Sequence, residues 1–262
     1  WMGVARLVRA ESPGLARNFQ RILIWMLLSG VFWIAGGVLE GNQRLACWAL
    51  ALAIELVSPS LFFWVPGLGA STLDDWNVEA NHMAERCGLF VIIALGESLL
   101  VTGATFAQLS WSIAGLAAFV VAVLGSIAMW WIYFDSGAER AHERIAHARD
   151  PGRHARLAYT YIHVLMIAGV IVSAVADELV LMHPGHATNA AVITIMAGPF
   201  LFLLGCALFK WVMSDRPLPP FSHLGGMGLL LMLLPAALAQ VFSALILGAL
   251  TTLILIIRSE EH

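Results

Sequence analysis

The stretch RCGLFVIIALGESLLVTGATFA, residues 86–107, decides the fold. A helix needs about 20 mostly apolar residues to cross the ~30 Å hydrocarbon layer of a bilayer, and this run supplies them. Past Arg86 its only charged side chain is Glu97. Membrane barrel strands are roughly ten residues long and alternate in polarity, and this run does neither. In lipid every backbone N–H and C=O must find a partner within the protein, so an unbroken apolar run of this length reads as a spanning helix.

Working outward, similar runs lie at about 22–39, 45–65, 112–134, 157–180 and 188–211. The last apolar stretch, 224–257, is too long for an ordinary single crossing and contains Pro235. It is expected to form a short helical hairpin turning between Pro235 and Ser243. Composition agrees: 60% of the 262 residues are hydrophobic and 12% are charged, with a mean hydropathy of +0.83. A soluble domain carries about twice that charged share. The expected fold is all-α, a polytopic transmembrane helix bundle of six clear spans plus the C-terminal hairpin, about eight helices in a single domain over 1–262. The chain opens on Trp1 with no signal peptide before the first span, which reads as part of a longer protein.

Several function classes drop out. A net charge of −3 gives no basic field for nucleic acid. Cys47, Cys87 and Cys206 are isolated in or beside apolar runs, which suits packing rather than a metal knuckle or a disulfide framework. His142 and His147 resemble a zinc-protease pair with one residue too many, about 140° apart on a helix. His183 and His186, near Asp177 and Glu178, are a weak metal candidate. No cofactor or metal is expected, and no catalytic constellation points to an enzyme.

Orientation follows from lysine and arginine. Arg6, Arg9, Arg17 and Arg21 precede or open the first span. Arg140, Arg144, Arg149, Arg153 and Arg156 fill the 135–156 loop, and Lys210 and Arg216 flank the sixth span's end. Counting crossings puts all three groups on one side, expected to be cytoplasmic. The acidic Asp74, Asp75 and Glu79 fall on that side too and weigh little in the rule. The partners implied are the lipid bilayer and a small solute or ion, with a homo-oligomer left open.

Charges inside spans carry the functional information, because a carboxylate at mid-depth costs roughly 3 kcal/mol unless protonated, paired or hydrated. Glu55 and Glu97 sit near the middle of their spans. Pro59 follows Glu55 by four residues and cannot donate to its carbonyl, so the site offers a carboxylate and a freed backbone oxygen beside Ser58. The other reading is an ordinary proline kink with Glu55 bonded to a neighbouring helix. At about 100° per residue, His82, Glu85, Arg86, Gly96 and Glu97 share one arc of roughly 120° if their helix is continuous. That stripe, with Ser98 beside it, reads as a water-lined path or a buried network, and Gly96 as a point of close helix approach. Ser126, Trp130 and Tyr133 form a further stripe, which also reads as an interfacial aromatic belt. Tyr159, His163, Met166, Val170, Ser173 and Asp177 follow helical spacing on one face.

The run HMAERCGLFVIIALGES at 82–98 resembles the bacterial low-temperature-requirement A family of membrane proteins. WWIYFD at 130–135, DEL at 177–179 and the Pro199–Lys210 segment extend the likeness over most of the chain. Members of that family begin with further spans carrying a Phe-Phe-Asp-Leu-Val-Phe-like motif, which this chain lacks, so it resembles the family's C-terminal portion. The resemblance implies a bacterial inner membrane and a link to growth in the cold, but no substrate.

The expected function is a transporter or channel for a small solute or ion. Glu97, Glu55, Glu85, Arg86, His82, Ser98, His163 and Asp177 are its candidate binding residues. The alternative is a non-transporting membrane protein of envelope homeostasis in which the same residues specify packing.

Overall fold

The computed structural model describes residues 13–71, 80–134, 156–214 and 218–259. Among them the regular elements are eight helices, with no strands. They are α1 (Pro13–Val38), α2 (Gly41–Ser60), α3 (Ala80–Gln108), α4 (Ile113–Phe134), α5 (His163–Met182), α6 (Asn189–Val212), α7 (Phe221–Leu238) and α8 (Ala244–Ser259). A π-helical turn, Leu157–Ile162, leads into α5. The basic residues of 135–155, the acidic residues of 72–79, the His142–His147 pair, Arg6, Arg9 and Arg216 lie outside the described residues.

Six helices are long and apolar enough to cross a membrane: α1, α3, α4, α5 with its π turn, α6 and α7. At 20 residues α2 is long enough, but it carries Asn42, Gln43, Arg44 and Glu55 and is not among the six. The second span was expected to continue to residue 65. It stops at Ser60: Leu61 still donates to the Val57 carbonyl, and beyond it Phe62 and Phe63 adopt left-handed backbone (φ 51° and 50°). The hairpin expected over 224–257 is present as α7 and α8. Its turn comes at residues 239–243, where Gln240 takes φ 59°, while Pro235 stays inside α7.

The described residues fall into two compact units, Trp1–Val78 and Glu79–His262. In the first, α1 and α2 form an antiparallel pair, and residues 61–71 fold back along α1. Arg21 donates from Nε (3.1 Å) and Nη2 (2.5 Å) to the Leu68 carbonyl, Ser71 Oγ bonds Asn18 Oδ1, and Trp25 Nε1 donates to the Trp64 carbonyl (3.1 Å). Asn18 and Arg21 are buried although both are strongly polar. Burying them is tolerable because Arg21 meets the Leu68 carbonyl and Asn18 the Ser71 hydroxyl, in a loop closed elsewhere by its own backbone bonds.

In the second unit α5 lies central, packed against α3, α4, α6 and α8. Its contact with α6 is the most extensive in the molecule, and glycine makes it possible. Met166 meets Gly205, Gly169 meets Phe202 and Ser173 meets Gly198, an antiparallel register in which one partner always lacks a side chain. A Cβ at Gly169 would stand 2.5 Å from the Phe202 nitrogen and 2.8 Å from its Cα. Small residues at such contacts are how membrane helices associate without a hydrophobic driving force. Outward faces are apolar, as at Ile34, Ile93 and Leu100, each about two-thirds exposed or more. On a helix that crosses lipid this is the face for acyl chains.

Three outcomes follow. Gly169→Ala should destabilise the purified protein by roughly 1–3 kcal/mol through forced backbone separation, read as a lowered thermal midpoint in detergent. Gly96→Ala, where a Cβ meets nothing within 4 Å, should leave that midpoint unchanged. Arg21→Leu should speed amide exchange at Val65, Gly69 and Ser71 about tenfold while leaving α7 unaffected, as expected for losing a buried bond of about 1–2 kcal/mol.

Candidate functional site

Glu55 is not a free carboxylate. Its Oε1 accepts from Ser29 Oγ (3.0 Å) and from Trp33 Nε1 (2.8 Å), both on α1. The backbone oxygen expected to be freed by Pro59 is occupied as well, because Ser58 Oγ donates to the Glu55 carbonyl at 3.1 Å. The proline lies in the last turn of α2 rather than at a break in mid-membrane. This corrects the broken-helix expectation: the local serine supplies the donor that proline lacks. Trp48, whose Nε1 donates to the Trp33 carbonyl (3.3 Å) while its ring lies across Gly36, continues the α1–α2 seam.

On α3 the helix is continuous from Ala80, so His82, Glu85, Arg86 and Glu97 share a face as the spacing implies. All four are exposed. Among the described residues Glu85 and Arg86 form no ion pair and Glu97 has no hydrogen-bond partner. Ser98 points elsewhere. One residue on is about 100° around the helix, and it lies buried with its Oγ unpartnered, while its carbonyl accepts from Thr102 Oγ1 (2.8 Å). Gly96, expected to admit a neighbouring backbone, has open space around it. The stripe is therefore on the outside of α3 among the described residues, not a buried network.

His163 occupies an aromatic box at the other end of α5. Its Nδ1 lies 2.7 Å from the Ala158 carbonyl, five residues back, and its Nε2 lies 2.9 Å from Tyr133 Oη. A carbonyl can only accept, so Nδ1 carries the hydrogen and, in the neutral ring, Nε2 accepts from the tyrosine. The π turn explains how the ring reaches a carbonyl of its own helix, since widening the turn opens space beside Ala158. Tyr159 and Phe209 close the box at centroid distances of 5.5 and 5.3 Å from the imidazole, and Cys87 Sγ contacts the Tyr159 carbonyl at 3.5 Å. The stripe drawn through Ser126, Trp130 and Tyr133 divides here. Ser126 is buried and Tyr133 meets His163, while Trp130 is exposed beside Trp131 and Phe134.

Asp177 lies on α5 about one and a half turns before the helix ends. It borders an internal cavity of about 30 Å³ among α4, α5, α6 and α8, together with Ser173, Ile195, Pro199, Thr251 and Thr252. That volume exceeds the ~10–15 Å³ that one water requires. Ser173 Oγ is buried with no partner. Pro199, inside α6, has no N–H for the Ile195 carbonyl, and no side chain among the described residues donates to it. Glu97 and His163 do not line this cavity. Sequence reasoning singled out Asp177 but not Pro199, Thr251 or Thr252. The signal was the one used for Pro59, a proline inside an apolar span with its freed carbonyl four residues before. Among the described residues no three His, Cys, Asp or Glu side chains group closely enough to hold a metal ion, so His183 and His186 form no such centre.

Comparison with known proteins agrees with this architecture. Residues 2–259 match the family model described as bacterial low temperature requirement A protein. An uncharacterized protein of Rhizobium meliloti (strain 1021) is 37% identical over 229 residues, covering 85% of this chain and 54% of that protein. The chain thus spans about half the length of the curated relative it matches. No solved structure matches the chain. The 82–98 run that suggested the relationship forms the continuous α3 of a multi-pass helical bundle. With almost every residue inside the family match, the chain belongs to the bacterial low temperature requirement A family of membrane proteins.

Proposed function

We propose that this protein moves a small solute or ion across the bacterial inner membrane, and that growth in the cold depends on that movement. One observation carries the reading: the Asp177 cavity, which sets a carboxylate beside the unpartnered Ser173 hydroxyl in an otherwise apolar bundle. Polar atoms in lipid-embedded helices are costly unless they have partners, and such atoms concentrate at substrate and ion paths. A proline-interrupted hydrogen-bond ladder beside a carboxylate is how membrane transporters present backbone oxygen to cargo. The arginine-rich segments, including the one ahead of α1, are assigned to the cytoplasmic side on the lysine and arginine count.

A second reading, in which intramembrane polar groups only specify packing, is favoured by Glu55. Its double bond to Ser29 and Trp33 is a helix-pairing contact, of a kind that contributes about 0.6 kcal/mol on average in membranes. Glu55 and Asp177 therefore take different roles, the first structural and the second functional.

Reconstituted liposomes carrying a pH-sensitive or ion-sensitive dye separate the two readings. The native chain should give flux above protein-free liposomes, and Asp177→Asn should cut it at least tenfold (about 1.4 kcal/mol or more per step) with an unchanged gel-filtration profile. Equal flux in native and Asp177→Asn protein would sink the transport reading. Glu97→Gln reports in the same assay whether the outer stripe of α3 takes part.

A further inference from the structure

The surroundings of Asp177 say which ligand the cavity is built for. No described residue donates a hydrogen bond to its carboxylate. On the helices lining the cavity, Lys210 is eleven residues from Pro199, His163 is fourteen from Asp177 and Arg258 is three from the lining Leu255, while His183 follows Asp177 by six residues just past the end of α5. Among the described residues none of them forms an ion pair with the Asp177 carboxylate, which leaves that charge open to a ligand.

The remaining groups are oxygen acceptors. The Ile195 carbonyl lacks its helix donor because of Pro199. Thr251 Oγ1 spends its proton on the Gly248 carbonyl at 2.9 Å, which leaves its lone pairs and no donor for a neighbour. Ser173 Oγ, 6% exposed as a residue and unpartnered, borders the same space. One carboxylate among neutral oxygens balances a single positive charge. Divalent calcium recruits several carboxylates and six to eight oxygens, and the lining holds no histidine or cysteine for a softer metal, its one sulfur being the Met129 thioether. The α5–α6 side of the cavity cannot widen, because at Ser173 and Gly198 the two backbones are in direct contact. A cavity of about 30 Å³ held on that side favours the smaller alkali ion.

We infer that this cavity binds one sodium ion through the Asp177 carboxylate, the Ile195 carbonyl and the Ser173 and Thr251 hydroxyls. The inference names the ligand of the site on which the transport reading rests.

The test is binding, measured apart from flux. Purified chain in detergent is melted in sodium, potassium or choline chloride at matched ionic strength, and radioactive sodium is equilibrated with it by dialysis. Saturating sodium should raise the midpoint by roughly 2–4 °C over choline and bind at one site per chain. Asp177→Asn should lose both effects. Pro199→Ala, which returns an N–H to the Ile195 carbonyl, should weaken sodium binding about tenfold while melting no lower than native protein in choline. An equal shift in potassium and sodium, a sodium shift that survives Asp177→Asn, or no retained sodium would each overturn the inference. The last result describes a cavity that holds only water. Asp177-dependent flux that ignores sodium would overturn it too and leave transport standing, whereas sodium binding with no flux of any kind would support the site and remove transport.

Discussion

Where α5 and α6 cross, backbone lies on backbone, and the interior of the larger unit follows from that contact. Gly169, Gly198 and Gly205 each remove a side chain at the point where the opposite helix has one or where its main chain passes. Lipid offers no hydrophobic driving force for the pairing, so close approach and dispersion must hold it. The same closeness sets Ser173 against Gly198, next to Pro199, and brings the interrupted turn of α6 beside the Asp177 segment of α5. A larger residue at position 198 would separate the helices and dissolve the polar cavity along with the seam.

Three carboxylates within the helices meet three different fates. Glu55 is held by two donors from α1, and the backbone oxygen beside it is filled by Ser58. Glu97 stands on the outer face of α3 with no described partner. Asp177 alone borders a cavity, one that is also lined by the unpartnered Ser173 hydroxyl and by Ile195, whose carbonyl lacks its helix donor. A carboxylate in lipid indicates function only when its partners are missing in a place that something else can fill. By that criterion the deepest and most conspicuous acid of the sequence, Glu97, yields to a less central one.

The spans were legible because hydropathy over about 20 residues reports lipid crossing directly. The α7–α8 hairpin was legible from length alone. What failed depended on neighbours that are not adjacent in the chain. Pro59 did break the donor ladder, but a serine one residue earlier repaired it, and only geometry decides whether that hydroxyl turns inward. Gly96 looked like a contact glycine and meets nothing, while Gly169 and Gly198 look ordinary and meet backbone. Helical spacing placed Glu97 and Ser98 together in sequence and about 100° apart in space. The π turn at Leu157–Ile162 has no composition that announces it.

The stripe along α5 shows what the arrangement asks of a transporter. His163 and Asp177 lie on one helix, but Met166 and Val170 between them are almost completely buried and apolar. A proton or ion passing from the aromatic box to the cavity would cross about two turns of hydrocarbon with no oxygen or nitrogen to hold it. The static path is closed at that point. On the transport reading proposed above, passage would require α5 to shift against a neighbour, and the α5–α6 glycine seam is too tightly joined to be the moving surface. The looser contacts of α5 with α4 and α8 are the places to give, and α4 and α8 carry Gly125, Thr251 and Thr252 at the cavity itself. Tyr133 on α4 also holds His163, so displacing α4 would open the cavity and release the imidazole's partner in the same motion.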